Sequence, residues 1–498
     1  MLSLIRIFTA LLLAAIAVTA VAKPMTTPGL DSAVKVIRDV DGIPHIIGSS
    51  EHDVVFVQGY LHAQDRFFQM DASRRQGSGT LAELLGLPAL ASDVQFRTFG
   101  LRRAAERTLA VLSAETRAGL QAYADGVNFF LQTQPLPPEY TILEITQAEP
   151  WTPLDSVVIG KLIAFGLSFD LDINNTIALG SYQAAGAALG FDGSVLFFED
   201  LFRTQPFDPA ATIPDSLAAA ATGKSGKAKH SANARKAASS RERSATTKPR
   251  GRQLDRATMR LAEDYVGRVK GIPMLENALK SRDNPTGSNE WAVAPSRSAS
   301  GKAMLANDPH LALNTPATWY QNHLRARPAG LDVAGSSFPG VPYVTLGQNR
   351  RITWGATVNP MDVTDVFQEQ VVPDTGSLSG LSTLYDGSPE PLLPIPEAYS
   401  YNVIGDGEPN NTEPAPAGST PPVTLIAPRR NHGPIIQLDE ATGVALSVQY
   451  TGFSPTREFD AFRSFNFARN LDDFRDGLQF FDFGSQNFSY MDVSGNIA

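Results

Sequence analysis

The chain has 498 residues, 43% hydrophobic and 19% charged, the balance of a soluble globular protein long enough for two or three structural units. A net charge of −9 excludes a general nucleic-acid binder, which needs a cationic excess against phosphate. With no cysteine, disulfides, thiol nucleophiles and thiolate metal sites are excluded as well.

The amino terminus, "MLSLIRIFTALLLAAIAVTAVAKP", sets Arg6 before an apolar run over residues 7–21, and Ala20-Val21-Ala22 gives small residues ahead of Lys23. This predicts a signal peptide over residues 1–22 and a periplasmic or secreted protein. The run is short for a stable membrane span and no stop-transfer pattern follows, the alternative being an uncleaved anchor. Next, "AVKVIRDVDGIPHIIGS" alternates apolar residues about Asp41-Gly42, as a β-hairpin does. From Glu51 the period lengthens. Val54, Val57, Leu61 and Phe68 form a helical stripe that Ser49 or Ser50 is placed to cap. Helical patterning continues to about Leu131, and a Pro-rich connection leads to a further helix starting near Leu154. Residues 23–210 thus read as a mainly helical region.

Residues 211–287 read as a spacer. Over residues 224–252, ten Lys/Arg face one acid, Glu242, a local +9 that leaves −18 on the rest of the chain. Such a stretch has too little apolar surface to offset its ordering entropy. A polyanion-binding arm is the alternative to a solvated spacer. "QLDRATMRLAEDYVGRVKG" beyond it has the pattern of an amphipathic helix. From Ser288 the character is β, with short strand-like pieces such as "NEWAVAPS", "KAMLAND", "RRITWGATVNP" and "VTDVFQEQVV" between Gly, Pro and Asn turns. A Pro-rich insert over residues 388–422 reads as a surface loop, and strands resume at "VTLIAP" and "VALSVQYTG".

No G-x-S-x-G elbow, H-E-x-x-H pair or complete phosphate-binding loop is present, and the seven His residues form no tight zinc-like cluster. A Ser-His-Asp triad stays open, because its members are free to lie far apart in sequence. Gly287-Ser288 offers another route. If Ser288 Oγ attacks the Gly287 carbonyl and water opens the ester, the freed Ser288 carries a hydroxyl together with an α-amine. That amine, with a reference pKa of about 7.7–8.0, can take the hydroxyl proton near neutrality.

"TGSNEWAVAPSRSASGKAMLANDPHL", "DGIPHI", "GYLHAQDRFFQMDASRRQGSGTLAELLG", "EPWTPLDS", "NRRITWGATVNPMDVTDVF" and "YMDVSGNIA" occur in the order in which similar text occurs in one family. The chain resembles the penicillin acylase (penicillin amidase) family of N-terminal nucleophile (Ntn) hydrolases from Val34 to its end, spacer apart. The resemblance implies an α+β fold, the four-layer αββα sandwich. It also implies an exported precursor that cleaves itself into associating α and β chains and hydrolyses a small N-acyl amide. Ser288 matches the catalytic Ser and Gly287 the end of the excised spacer, so that residues 288–498 are a β-chain region. His310 falls where it would orient the Ser288 amine or hydrogen-bond the intermediate and substrate. Val358 matches the backbone donor of the oxyanion hole. Leu311 and Leu346 match acyl-pocket positions, with Phe165 and Phe169 as weaker candidates. Asp362, Thr364 and Asp365 resemble a structural Ca²⁺ loop, Asp172 standing near the place of a further carboxylate; no organic cofactor is implied.

The chain ends at Ile497-Ala498, within the last of these motifs, and the family's side-chain oxyanion donor, an Asn, and a nearby Arg lie beyond it. The expectation is therefore a penicillin acylase-like amidohydrolase with a truncated β region, acting on β-lactam side-chain amides, acyl-homoserine lactones or other N-acyl compounds. The alternative is a catalytically inactive homologue acting as a periplasmic binding protein.

Overall fold

In the computed structural model, the alternation about Asp41-Gly42 produces an antiparallel hairpin of β1 (Lys35–Arg38) and β2 (Pro44–Ile47). The structure describes residues 25–169, 173–203, 254, 256–272, 274–275, 287–311, 313–359, 361–482 and 484–498. The expected signal segment, most of the expected spacer and Asp172 lie outside these.

Helix α1 (Glu51–Ser78) is capped by Ser50, whose Oγ accepts from Asp53 N at 3.1 Å. Its stripe is buried at Val54, Val57 and Leu61, but Phe67 is fully buried where Phe68 only packs half-buried against the core. The cause is local: the backbone at Arg66 leaves helical geometry (φ −146°, ψ 19°), which shifts the inward face by one residue. Helix α2 (Leu90–Phe99) follows, then α3 (Ala114–Thr133) and α4 (Pro153–Ser168). A Cβ on Gly126 would run into the Phe56 carbonyl, so only glycine lets α1 and α3 approach backbone to backbone. Helix α4 starts where Pro153 sits at its first position, and Asp155 accepts from Thr152 N at 2.8 Å.

Two compact units are distinguished, one of Met1–Leu171 with Val269–Ala498, the other of Asp172–Arg268. In the smaller unit, α5 (Ile173–Leu189) and α6 (Gly193–Arg203) bring Tyr182 and Phe197 together with ring centroids 5.6 Å apart. The amphipathic pattern beyond the basic stretch forms α7 (Arg256–Val269), with Leu261 and Tyr265 buried.

The larger unit continues with β3 (Gly287–Val293), β4 (Met304–His310), β5 (Tyr320–Ala326), β6 (Leu331–Ser337), β7 (Leu346–Asn349) and β8 (Ile352–Val358). Then come β9 (Thr364–Pro373), β10 (Leu381–Tyr385), β11 (Ser388–Pro391) and β12 (Leu393–Pro396). After them run β13 (Val423–Ala427), β14 (Gly433–Leu438) and β15 (Val444–Tyr450). Helices α8 (Glu458–Phe467) and α9 (Leu471–Leu478) precede β16 (Gln486–Asp492).

One seven-stranded sheet has the order β1-β2-β5-β6-β7-β8-β16, with β2 and β5 parallel and the other pairs antiparallel. Its inward residues, among them Ile46, Leu324, Val333 and Trp354, join α1 and α3 in the main core. The second sheet has the order β11-β10-β9-β15-β14-β13-β12. The class is therefore α+β, as expected. The Pro-rich insert differs from the expected loop, because it supplies β11 and β12 and buries Leu392 and Tyr399. Its prolines are tolerated there because both strands are sheet edges, where a missing N–H breaks no inner ladder. Among the described residues, no helix is long and apolar enough to cross a membrane.

Candidate active site

Strands β3 and β4 form a separate two-stranded sheet, in which Gly287 opposes His310, Ser288 opposes Pro309 and Asn289 opposes Asp308. Side chains alternate along a strand, so Ser288 and Pro309 share one face with Leu311, while Asp308 and His310 turn to the other. The structure follows this rule. Ser288, Pro309 and Leu311 line a cavity of about 130 Å³, together with Leu346, Ala356 and Val358.

Side chains tie the hairpin to β8: Glu290 Oε1 accepts from Thr357 Oγ1 at 3.2 Å, and Asn307 makes three further bonds. Asn307 Nδ2 donates to Asn289 O at 3.1 Å and to Ala356 O at 2.9 Å, and its Oδ1 accepts from Ala356 N at 3.2 Å. Asn307 thus joins both strands of the hairpin to β8. It needs Gly355 beneath it, since a Cβ there would stand 2.8 Å from the Asn307 Cβ. The "WGATV" segment is therefore shaped by contact with "LANDPH", a pairing the linear text does not display.

The cavity wall is aromatic and aliphatic: Ile163, Ala164 and Leu167 come from α4, with Trp319, Phe338, Phe462, Phe481 and Phe488 from elsewhere in the unit. Phe165 and Phe169, expected as weaker pocket candidates, are instead buried in a cluster with Phe96, Phe99 and Tyr450; their own rings stack at 4.1 Å. Residues 163, 164 and 167 occupy the cavity side of α4, and the helical period turns Phe165 away. Tyr343, another wall residue, is held in a left-handed conformation (φ +70°) by a buried frame. Its N–H donates to Gln58 Oε1 at 2.9 Å, its carbonyl accepts from Gln58 Nε2 at 3.1 Å, and its hydroxyl donates to Glu51 Oε1 at 2.6 Å.

Polar residues also enter this wall, among them Thr345, Gln486 and a buried Lys-Glu pair. Lys161 is buried and its Nζ donates to Gly452 O at 3.2 Å, Ser454 O at 3.1 Å and Thr456 Oγ1 at 2.5 Å. Burial lowers the Lys161 ammonium from its usual range, opposed by the Glu458 charge; burial raises the Glu458 carboxyl, opposed by Lys161. Both line the cavity, and the ammonium fixes the turn over residues 452–456.

Of the expected site residues, the structure brings Ser288, Leu311, Leu346 and Val358 to one cavity and does not bring His310 there. The His310 ring is half exposed, with Nε2 3.0 Å from Asp308 Oδ2 and 3.4 Å from Asn289 Nδ2. Among the described residues, no His lines the cavity and Ser288 makes no side-chain hydrogen bond to a His, so no Ser-His-Asp triad is assembled there. Asp362 and Asp365 are exposed; Thr364 is buried at the start of β9, and its Oγ1 has no hydrogen-bond partner among the described residues. Among the described residues, no third carboxylate or His completes a cluster with these two aspartates, and Asp172 is outside them. Asn307, Gly355, Lys161 and Glu458 were missed from sequence. A lone Lys amid "SVVIGKLIAFG" was the available signal for the buried ammonium.

The chain matches the penicillin amidase family over residues 33–498. It is 29% identical over 478 residues to "Penicillin acylase 2 proenzyme" of Pseudomonas sp. strain SE83, covering 95% of this chain and 52% of that protein. Against "Acyl-homoserine lactone acylase QuiP" of Pseudomonas aeruginosa the identity is 30% over 354 residues, covering 69% and 35%. The solved thermostable penicillin G acylase of Alcaligenes faecalis, in its tetragonal form, is 31% identical with a TM-score of 0.33, covering 36% of this chain and 96% of that one. The chain spans about half the length of the first of these curated relatives, or less of the second.

Proposed function

The chain belongs to the penicillin amidase family, and from that premise we propose that it is an exported, self-processing amidohydrolase whose nucleophile is Ser288. The observation that carries this reading is the convergence of Ser288, Val358, Leu311 and Leu346 on one apolar cavity that no described His lines. A serine without an imidazole needs another proton acceptor. Lys161 does not compete for that role, because its ammonium protons are committed to Gly452 O, Ser454 O and Thr456 Oγ1.

Cleavage supplies the acceptor. Ser288 Oγ attacks the Gly287 carbonyl carbon, the Gly287–Ser288 C–N bond breaks, and the nitrogen takes up the Oγ proton to become the new α-amine. Water then hydrolyses the ester and leaves Gly287 with a carboxylate. Among the described residues, no atom beyond its chain neighbours lies within 4 Å of where a Cβ on Gly287 would stand.

In the mature enzyme the amine accepts the Ser288 Oγ proton as the oxygen attacks an acyl amide. The Val358 N–H donates to the tetrahedral oxyanion, a role suited to a dipole fixed by the ladder between β8 and β16. The amine proton passes to the leaving nitrogen, the C–N bond breaks, and water releases the acid from the ester. The wall accepts an apolar acyl group; about 130 Å³ is close to the ~150 Å³ of apolar cavities that take up benzene. Penicillin-type amides with an aromatic acyl group and acyl-homoserine lactones are the substrate classes to compare.

Asp362 and Asp365, with the Thr364 carbonyl, offer oxygen donors of the type Ca²⁺ takes, and an ion there would be structural. Intact mass and amino-terminal sequencing of the purified protein test the central claim. A new terminus beginning Ser288-Asn289-Glu290 is expected, and Ser288→Ala should abolish both the cut and amide hydrolysis. Normal maturation of Ser288→Ala refutes the assignment.

A further inference from the structure

Away from the cavity, His45 on β2 and His323 on β5 are directly opposed across the parallel strand pair. Their rings are perpendicular (89°), with Nδ1 facing Nδ1 at 3.0 Å. Behind each ring stands a carboxylate. Asp332 Oδ1 lies 2.9 Å from His323 Nε2, and Asp39 Oδ2 lies 3.4 Å from His45 Nε2. Arg327 Nε fixes the second Asp332 oxygen at 2.8 Å, and the backbone N–H groups of Asp41 and Ile43 fix the second Asp39 oxygen at 3.0 and 2.9 Å.

Proton accounting makes this arrangement informative. Ionised carboxylates only accept, so each contact requires an Nε2–H. A neutral imidazole has one N–H, and using it at Nε2 leaves a lone pair on Nδ1. Two such lone pairs then lie 3.0 Å apart, a repulsion that a cation bound by both nitrogens relieves. An imidazole whose outer N–H is held by a carboxylate is also the usual orientation of a metal-ligating histidine. With Zn–N bonds of about 2.0–2.1 Å, ligand angles between octahedral and tetrahedral place the two nitrogens about 2.9–3.4 Å apart.

We propose that His45 Nδ1 and His323 Nδ1 form a two-histidine site for a borderline divalent transition-metal ion such as Zn²⁺, oriented by Asp39 and Asp332. Water completes the coordination, since the His45 side chain is 36% exposed. Imidazole donors select against Ca²⁺, which takes oxygen. Because β2 precedes and β5 follows Gly287–Ser288, the ion would also bridge the two chains after cleavage; that consequence, unlike the site, rests on the function proposed above.

The test is zinc titration of the 498-residue chain by calorimetry with excess Ca²⁺ present, so that oxygen sites are filled. One high-affinity equivalent is expected. It should weaken at least tenfold in both His45→Gln and His323→Gln, and about tenfold or more in Asp332→Asn. His52→Gln is the control, because His52 lies 3.3 Å from Asp53 and 3.9 Å from Asp31 and is the competing three-residue cluster. It should leave the affinity unchanged. A zinc-dependent rise in melting temperature that both His variants lose gives a readout independent of folding yield and of activity. No zinc uptake by the wild-type chain near neutral pH, which is the result if a proton alone bridges the rings, overturns the proposal. So does equal affinity in the wild type and the His323 variant, or loss confined to His52→Gln.

Discussion

His62 gives the fold a specific sensitivity to acid. It is fully buried on α1, its Nδ1 2.7 Å from the Tyr123 hydroxyl and its Nε2 3.1 Å from Ser337 Oγ. The Gly340 N–H donates to Tyr123 Oη at 2.9 Å, and Ser337 Oγ donates to Tyr320 O at 3.0 Å. This leaves the tyrosine hydroxyl to donate to Nδ1 and the neutral ring to donate from Nε2. Burial, helped by the nearby Arg66 charge, lowers the His62 pKa from 6.5 to about 3. The unfolded chain therefore binds a proton that the folded chain refuses between those values, so stability is full above pH 6.5 and is lost as pH falls towards 3. Over about 3.5 pH units, at about 1.4 kcal/mol each, the loss is about 5 kcal/mol, of the order of a whole domain's stability. Asp93 acts in the opposite sense: burial raises its carboxyl to about 6, so its contribution is full below the unfolded value and fades as pH rises through 6. The discriminating measurement is a difference. Urea midpoints of wild type and His62→Gln are compared between pH 7.5 and 4. The variant is less stable at pH 7.5, and its stability should fall with acid less steeply, by up to about 1.4 kcal/mol per pH unit. Parallel curves would show that His62 does not titrate as its burial requires.

Gly355→Ala places a methyl 2.8 Å from the Asn307 Cβ, and should lift the hairpin from β8 at a cost of about 1–3 kcal/mol; uncut precursor on a denaturing gel together with a lowered melting temperature is the expected result. Lys161→Met removes the charge that opposes the buried Glu458 carboxylate and should cost about 3–5 kcal/mol, whereas Lys161→Met with Glu458→Leu should recover much of it; chemical denaturation of the set checks the coupling.

Local chemistry made much of the fold legible. The β1–β2 turn, the Ser50 cap and the Pro153 start of α4 each depend on a few adjacent residues. Where geometry intervened between neighbours, the text was silent. The break at Arg66 exchanged Phe67 for Phe68, and nothing in the apolar pattern marks it. Edge position, a property of the assembled sheet, decided that "SPEP" and "LPIP" became strands. At the site, motif resemblance singled out Ser288, Leu311, Leu346 and Val358, which tertiary structure gathers. His310 stood beside them in the motif, but a strand sends adjacent residues to opposite faces.

That alternation also explains why the hairpin needs Asn307. Pro309, opposite Ser288, has no N–H, so these two residues exchange no backbone hydrogen bond directly. Cleavage after Gly287 would further remove the outermost pair, Gly287 with His310, leaving Ser288 at a frayed end. The Asn307 amide compensates one residue further in, binding Asn289 O and both polar groups of Ala356. Ser288 is therefore held to β8 through a side chain that chain scission does not touch, and β8 is the strand that carries Val358. The nucleophile and oxyanion donor proposed above, both fixed to the same strand, would keep their spacing if the peptide bond between residues 287 and 288 were lost.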